Sequence, residues 1–73
     1  MILPQAQVGK EYIVEKIELP DRIKRRLQML GMIHDTKLSV LNKKKNGALI
    51  IKIRGTRFAI GNSFAKGIIL RES

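Results

Sequence analysis

The sequence contains no cysteine and no tryptophan, and its only aromatic residues are one tyrosine and two phenylalanines. Without cysteine, neither disulfide bonds nor cysteine-ligated zinc can stabilise the chain. The longest apolar run covers residues 48–51, far short of the ~20 residues that a membrane-spanning helix requires. The first ten residues also lack the basic and apolar regions of a secretory signal peptide. A cytoplasmic location is therefore expected.

Acidic residues are scarce as well. Six Asp and Glu residues stand against fifteen Lys and Arg residues, which gives a net charge of +9. The excess lies beyond residue 21, because residues 22–73 carry thirteen basic side chains and only two acidic ones. The positive electrostatic potential of such a chain favours nucleic acid, anionic lipid or an acidic protein as partner. Composition alone does not choose among these partners.

Hydrophobic residues make up 44% of the 73 positions, which is enough for one small core. We therefore expect a single domain over residues 1–73. Residues 10–19 mix β-branched and charged side chains, which predicts a strand. Pro20 and Asp21 then mark the start of a helix. The helical pattern runs to Leu30 and ends before Gly31, a residue that commonly terminates helices in a left-handed conformation.

The predicted helix has an apolar stripe and a basic surface. At about 100° per residue, Ile23, Leu27 and Leu30 share one stripe. Leu27 and Leu30 are therefore expected to hold the helix on the core, with Gly31 completing a structural corner. The basic side chains lie off the stripe: Arg22, Arg25 and Arg26.

Four short strands are predicted after the helix. The alternation of apolar residues and the positions of glycine place them at residues 36–41, 48–54, 56–60 and 67–70. Asn46 and Gly47 form a strong hairpin signal between the first two. One helix cannot cover an open five-stranded sheet. The fold class is therefore expected to be mainly β, a small barrel of about five short strands with a helical insertion after the first strand, whose curling would remove free sheet edges.

Three segments in register resemble the ferrous iron transport protein A (FeoA) family. Residues 25–32, RRLQMLGM, are similar to the RxLxxLGM/L helix-to-strand corner of that family. Residues 36–40 look like the strand that follows the corner, and residues 55–61 are similar to a late strand of the family. The resemblance extends from about residue 8 to residue 70. It departs where the family usually has Pro-Gly and this chain has His34 and Asp35.

This resemblance implies an SH3-like, cytosolic and non-enzymatic accessory protein of ferrous iron uptake. Family members are associated with the ferrous iron transporter B, a membrane protein with a GTPase domain, and act through protein contacts. No cofactor and no small-molecule substrate are implied. Beside such a membrane partner, the basic face of the helix is expected to lie near anionic headgroups.

The alternative is a small basic barrel that binds nucleic acid. Single-strand binders stack bases on aromatic side chains, and this chain has few. Phe58 and Phe64 lie in apolar contexts and are expected in the core. This scarcity makes nucleic acid the second choice.

Few residues could carry chemistry. His34 and Asp35 are adjacent, and adjacent side chains in a turn are expected to point apart. A metal site needs several converging ligands, and Glu11 and Glu15 are the only further candidates, more simply explained as surface charge. We therefore predict no catalytic residue and no metal ligand.

The partner-binding surface is predicted at the corner and on the basic face. Met29 lies off the apolar stripe and Met32 follows Gly31, and methionine side chains adapt well to partner grooves. The predicted partner-binding residues are Met29, Met32, Arg22, Arg25 and Arg26.

Overall fold

The computed structural model describes all 73 residues and contains five strands. The elements in chain order are a 3-10 turn (Leu3–Gln5), β1 (Glu11–Ile17), α1 (Asp21–Met29), β2 (Lys37–Lys43), β3 (Leu49–Ile53), β4 (Thr56–Ile60), α2 (Asn62–Ala65) and β5 (Ile68–Glu72). The predicted mainly β fold, with its helix after the first strand, is confirmed.

The strands form one antiparallel sheet in the order β4-β3-β2-β1-β5. Its pairing register shifts between Val14 and Lys16 and between Val40 and Asn42. An extra residue in one strand bends that strand and increases its twist, which helps the sheet to curl around its core. The sheet leaves β4 paired only with β3. The expectation that curling removes every free edge is therefore wrong at β4.

The core is a single cluster of sixteen buried hydrophobic residues. Strand alternation supplies most of it; for example, Leu49, Ile51 and Ile53 of β3 all face inward. The segment before β1 also contributes, because Leu3 and Ala6 are completely buried. That contribution was not predicted, since three residues of 3-10 turn have no periodicity to recognise.

Two hairpin turns position β3. In the first, predicted at Asn46 and Gly47, only Gly47 has a positive φ, of 90°, and Lys44 N–H closes the turn on Ala48 O at 2.8 Å. The second is a two-residue loop with φ of 51° at Arg54 and 82° at Gly55. Positive φ at both positions is the requirement of a type I′ hairpin. The sequence had indicated only a break there.

Both helices are short. Helix α1 begins with Asp21, whose carboxylate lies in the first turn, where the positive end of the helix dipole favours it. Helix α2 is a single turn of four residues. Neither helix is long and apolar enough to cross a membrane.

Candidate functional site

The chain turns sharply where α1 ends. Gly31 has a φ of 101°, as predicted for a left-handed residue after a helix. Its N–H donates to Gln28 O at 3.0 Å, and Met32 N–H donates to Leu27 O at 2.9 Å. These two bonds define a Schellman motif. A Cβ at Gly31 would lie 3.3 Å from Ile53 Cγ2, so the corner is held closely against β3.

The two methionines at this corner have opposite environments. The Met29 side chain is 86% exposed, whereas Met32 is completely buried. In a Schellman motif the residue after the left-handed one packs back on the last turn of the helix, and Met32 and Leu27 belong to the same core cluster. The predicted partner-binding role of Met32 is therefore wrong. This packing rule, applied to the glycine, would have identified Met32 as core.

The two leucines of the corner also differ. Leu27 is buried, as predicted, but Leu30 is 43% exposed. Leu30 is the residue that follows the last helical position, Met29. There it reaches beyond the part of α1 that contacts the core and lines an open groove instead. The prediction that Leu30 anchors the helix in the core is wrong.

That groove, called here the α1–β4 groove, runs between α1 and the β4–α2 segment. Its volume is about 550 Å³, and seven of its nine lining residues are hydrophobic. On the α1 side they are Ile23, Leu27 and Leu30, and on the other side Phe58, Ala59, Ile60 and Phe64. The groove forms only because the fold places residue 23 beside residue 58, which is far away in the sequence. The sequence analysis therefore did not predict the groove.

The two phenylalanines extend the groove to the surface. Phe58 is half-buried and packs against the core, whereas Phe64 is 44% exposed. Within the single turn of α2 it is Ala65 that faces the core. The expectation that Phe64 is a core residue is therefore wrong. Together, Leu30 and Phe64 form exposed apolar surface, the kind of surface that marks a binding site when it is rimmed by polar groups.

Arginines form that rim. Arg22 and Arg26, one helical turn apart on α1, both line the groove, while Arg25 is exposed outside it. The carboxylates that contact basic side chains are Glu18, beside Lys16, and Asp35, beside His34 and Arg71, so none of these three arginines has a carboxylate partner. The predicted basic face is therefore free to attract a negatively charged group.

The only histidine does contact its neighbour. His34 Nδ1 lies 3.3 Å from Asp35 Oδ2, so the expectation that these side chains point apart is wrong. Arg71 Nη2 donates to the other oxygen, Oδ1, at 2.6 Å. This hydrogen bond lowers the pKa of Asp35, helped by the charges of His34 and Arg71 against a partial loss of solvation. Both carboxylate oxygens are thus engaged with cationic or titratable neighbours on an exposed turn.

A metal site would require several such groups together. No cluster of three or more His, Cys, Asp or Glu side chains is present in the structure. The apolar groove, lined by seven hydrophobic residues and rimmed by Arg22 and Arg26, is the site that the geometry supports best.

Known proteins with similar sequence and fold cover nearly all of the chain. "Putative Fe(2+) transport protein A" of Methanocaldococcus jannaschii is 34% identical over 68 residues, 93% of this chain and 82% of that protein. The FeoA protein of Chlorobium tepidum matches with a TM-score of 0.92 and 25% identity, over 99% of this chain and 70% of that one. The zinc complex of Stenotrophomonas maltophilia FeoA, named as an SH3 domain protein, matches with a TM-score of 0.82 and 28% identity, over 96% and 88% of the two chains.

These similarities confirm the predicted SH3-like fold. The model of the FeoA domain itself matches residues 1–72. Because that match includes every strand and both helices, the chain belongs to the FeoA family.

Proposed function

We propose that this protein is a non-enzymatic accessory protein of ferrous iron uptake. It acts by binding the cytoplasmic part of a transporter of the ferrous iron transporter B type, a membrane protein with a GTPase domain. Membership of the FeoA family and the similarity to a relative named for Fe(2+) transport support the process. The observation that carries the binding role is the α1–β4 groove, an open apolar site with a cationic rim.

The composition of the groove suits a protein partner. Aromatic and arginine side chains are enriched at protein interfaces, and the groove combines Phe58 and Phe64 with Arg22 and Arg26. Exposure of Leu30 and Phe64 to water is unfavourable by roughly 25 cal/mol for each Å² of apolar surface. A partner that covers both side chains recovers that free energy, so the groove is the natural centre of the contact.

The basic face of α1 supports a position beside the membrane. Arg22, Arg25 and Arg26 are exposed and have no carboxylate partner. A basic side chain near an anionic leaflet contributes about 1 kcal/mol of attraction. We propose that this face keeps the protein at the inner side of the membrane while the groove holds the transporter.

Replacement of Phe64 by serine tests the proposal. Phe64 is 44% exposed, so Phe64→Ser leaves the fold intact and removes the apolar centre of the contact. We expect a loss of at least about tenfold in affinity for the detergent-solubilised transporter, since buried aromatic anchors dominate interfaces. A strain that lacks the protein and carries Phe64→Ser in its place should also fail to grow when Fe²⁺ is limiting.

Leu41→Ser is the matched control. Leu41 is 37% exposed on β2 and does not line the groove, so this variant should bind and complement as the wild type does. Met29→Gln belongs in the same assay, because Met29 remains a predicted contact residue and is 86% exposed. Wild-type binding and growth by Phe64→Ser, with the fold retained by circular dichroism, would contradict the proposal.

Binding of nucleic acid is a second candidate, favoured by one feature of the sheet. Lys52 of β3 is the cross-strand partner of Arg57 of β4, and like charges placed opposite each other destabilise a sheet. Residues 37–66 carry no acidic residue that could compensate. Retention on immobilised RNA and DNA over a range of salt concentrations tests this candidate, because phosphate contacts produce a steep salt dependence. A Lys52→Gln, Arg57→Gln variant should lose that retention.

A further inference from the structure

The two outer strands of the sheet, β5 and β4, differ in whether their outer edges are covered. The edge of β5 is covered by the start of the chain: Leu70 N–H donates to Met1 O at 2.7 Å, Met1 N donates to Leu70 O at 3.0 Å, and Ile2 pairs with Ile69. Strand β4 pairs with β3 on one side and with nothing on the other. Open edges of this kind are ready to accept another strand, and proteins usually protect them.

The backbone groups that β4 offers follow from its hairpin. The two residues that flank a two-residue type I′ loop form a hydrogen-bonded pair, here Ile53 and Thr56. Hydrogen-bonded and non-hydrogen-bonded pairs alternate along antiparallel strands. Arg57 and Ala59 are therefore in non-hydrogen-bonded pairs, and their N–H and C=O groups point away from β3. Both residues are exposed.

The open edge and the α1–β4 groove are one continuous surface. Ala59 and its neighbours in β4 form one wall of the groove, and α1 forms the other. Beside the edge, the exposed Leu30 and Phe64 offer apolar contact, and Arg22 and Arg26 offer positive charge. Backbone donors and acceptors, an apolar pocket and a cationic rim thus lie within reach of a single extended segment.

We propose that β4 binds an extended acidic segment of the partner as a sixth strand of the sheet. This inference rests on the proposed function and adds the chemistry of the segment and its mode of binding. Main-chain hydrogen bonds to Arg57 and Ala59 align the segment, as in other cases of strand addition. An apolar side chain of the segment enters the α1–β4 groove, and flanking Asp or Glu side chains pair with Arg22 and Arg26.

The charge of the site favours an acidic segment of the partner over a second copy of the chain. The arginines of the rim have no internal carboxylate partners, so an acidic segment neutralises charge that the protein leaves open. A second copy would bring its own net charge of +9. Its β5 edge is already covered, and its β4 edge would add another Arg57 to the contact. Self-pairing through β4 is therefore disfavoured.

The first experiment uses a short, blocked synthetic peptide that alternates apolar residues and carries glutamates at both ends. On titration of the isotope-labelled protein, the amides of Arg57 and Ala59 should shift in the NMR spectrum and exchange with solvent more slowly. A peptide with the same glutamates and a serine–glycine centre should cause neither change. If the first peptide leaves exchange at both amides unaltered, or acts only at residues 43–45, strand addition is overturned.

The second experiment blocks the edge. Proline at Ala59 removes the outward N–H and is tolerated where that group faces solvent, whereas Ala59→Val keeps the N–H. Ala59→Pro should bind the peptide at least about tenfold more weakly than Ala59→Val, since it loses a hydrogen bond and obstructs the approach of a strand. Equal affinities would overturn the proposal. If Ala59→Pro fails to fold, the peptide affinity of Arg57→Pro and the amide exchange of the wild type with peptide test strand addition instead.

Binding of the full transporter separates this inference from the proposed function. If Ala59→Pro still binds the transporter while Phe64→Ser does not, the groove is the contact and strand addition is overturned. If neither variant loses the transporter, the proposed function of the groove fails as well. Slow exchange at Arg57 and Ala59 that depends on protein concentration, without peptide, would identify a second copy as the occupant and overturn the acidic partner.

Discussion

Arg71 Nη2 donates a 2.6 Å hydrogen bond to Asp35 Oδ1 and so ties β5 to the turn that precedes β2. Asp35 occupies the left-handed region with a φ of 67°, and its N–H donates to Val14 O at 2.8 Å. An aspartate is less favourable there than a glycine. The contact with Arg71 offsets part of that strain.

Stability should therefore depend on the ionisation of Asp35. The hydrogen bond from Arg71 lowers the pKa of the folded carboxyl below its unfolded value. A lowered pKa stabilises the fold above the unfolded value of about 3.9 and loses that effect as the pH falls through the folded pKa. Asp35→Asn, which keeps an acceptor and tolerates the left-handed region, should lower the melting temperature slightly at pH 7, and the difference should shrink below about pH 4.

A double-mutant cycle provides the control for this pH effect. In an Arg71→Gln background the partner is absent, so Asp35→Asn should change stability little and with weak pH dependence. An equal effect of Asp35→Asn in both backgrounds would show that Arg71 does not act through Asp35.

Any side chain at Gly67 should destabilise the fold. An added Cβ would lie 2.5 Å from Leu19 Cδ2 and 2.6 Å from Glu18 O, and that backbone is fixed because Glu18 N–H donates to Gly67 O. Gly67→Ala is expected to lower the free energy of unfolding by about 1–3 kcal/mol, the usual effect of overpacking. Gly61→Ala, which meets no atom within 4 Å, is the control and should stay within about 0.5 kcal/mol of the wild type. Chemical denaturation of both variants measures the difference.

Alanine substitutions of the two methionines at the corner should differ in their effect on the free energy of unfolding. Met32 is completely buried, so Met32→Ala is expected to lower the free energy of unfolding by about 2–5 kcal/mol. Met29 is 86% exposed, and Met29→Ala should change it by no more than about 0.5 kcal/mol. Urea denaturation followed by circular dichroism compares the two. Similar midpoints would place Met32 outside the core.

The order of the elements could be predicted because local signals are strong in this chain. Pro20 with Asp21 and then Gly31 bound the helix, and apolar alternation marks the strands. The wrong burial predictions for Leu30 and Met32 fall at the end of α1, where the helical period no longer applies. The apolar stripe, followed to Leu30, predicted that this residue holds the helix on the core, and the position of Met32 after Gly31 suggested a contact residue. The turn at Gly31 instead leaves Leu30 exposed and buries Met32.

The candidate site could be predicted only in part. The exposed arginines of α1 follow from helical spacing, since they lie off the apolar stripe. The groove and the open edge of β4 depend instead on contacts between residues far apart in sequence. The same holds for Leu3, which is buried under strands that follow it in the chain.

The basic face of α1 leads to the last prediction, which concerns membranes. Arg22→Gln, Arg25→Gln and Arg26→Gln together remove three positive charges from exposed positions without carboxylate partners, so the fold should be retained. At about 1 kcal/mol for each basic side chain near an anionic surface, affinity for phosphatidylserine-containing vesicles should fall by roughly a hundredfold. The binding of the wild type should weaken with added salt, because exposed charges are screened over about 8–10 Å near physiological ionic strength.

A matched variant decides whether this face or the total charge matters. Lys37→Gln, Lys44→Gln and Lys45→Gln remove the same charge from exposed positions on β2 and its following loop. Vesicle sedimentation should show this variant binding more tightly than the arginine variant, because its α1 face is intact. Equal losses in the two variants would mean that net charge alone attracts the protein. Wild-type binding by the arginine variant would exclude the α1 face from contact with headgroups, and the loop at residues 43–45 would then be the surface to test.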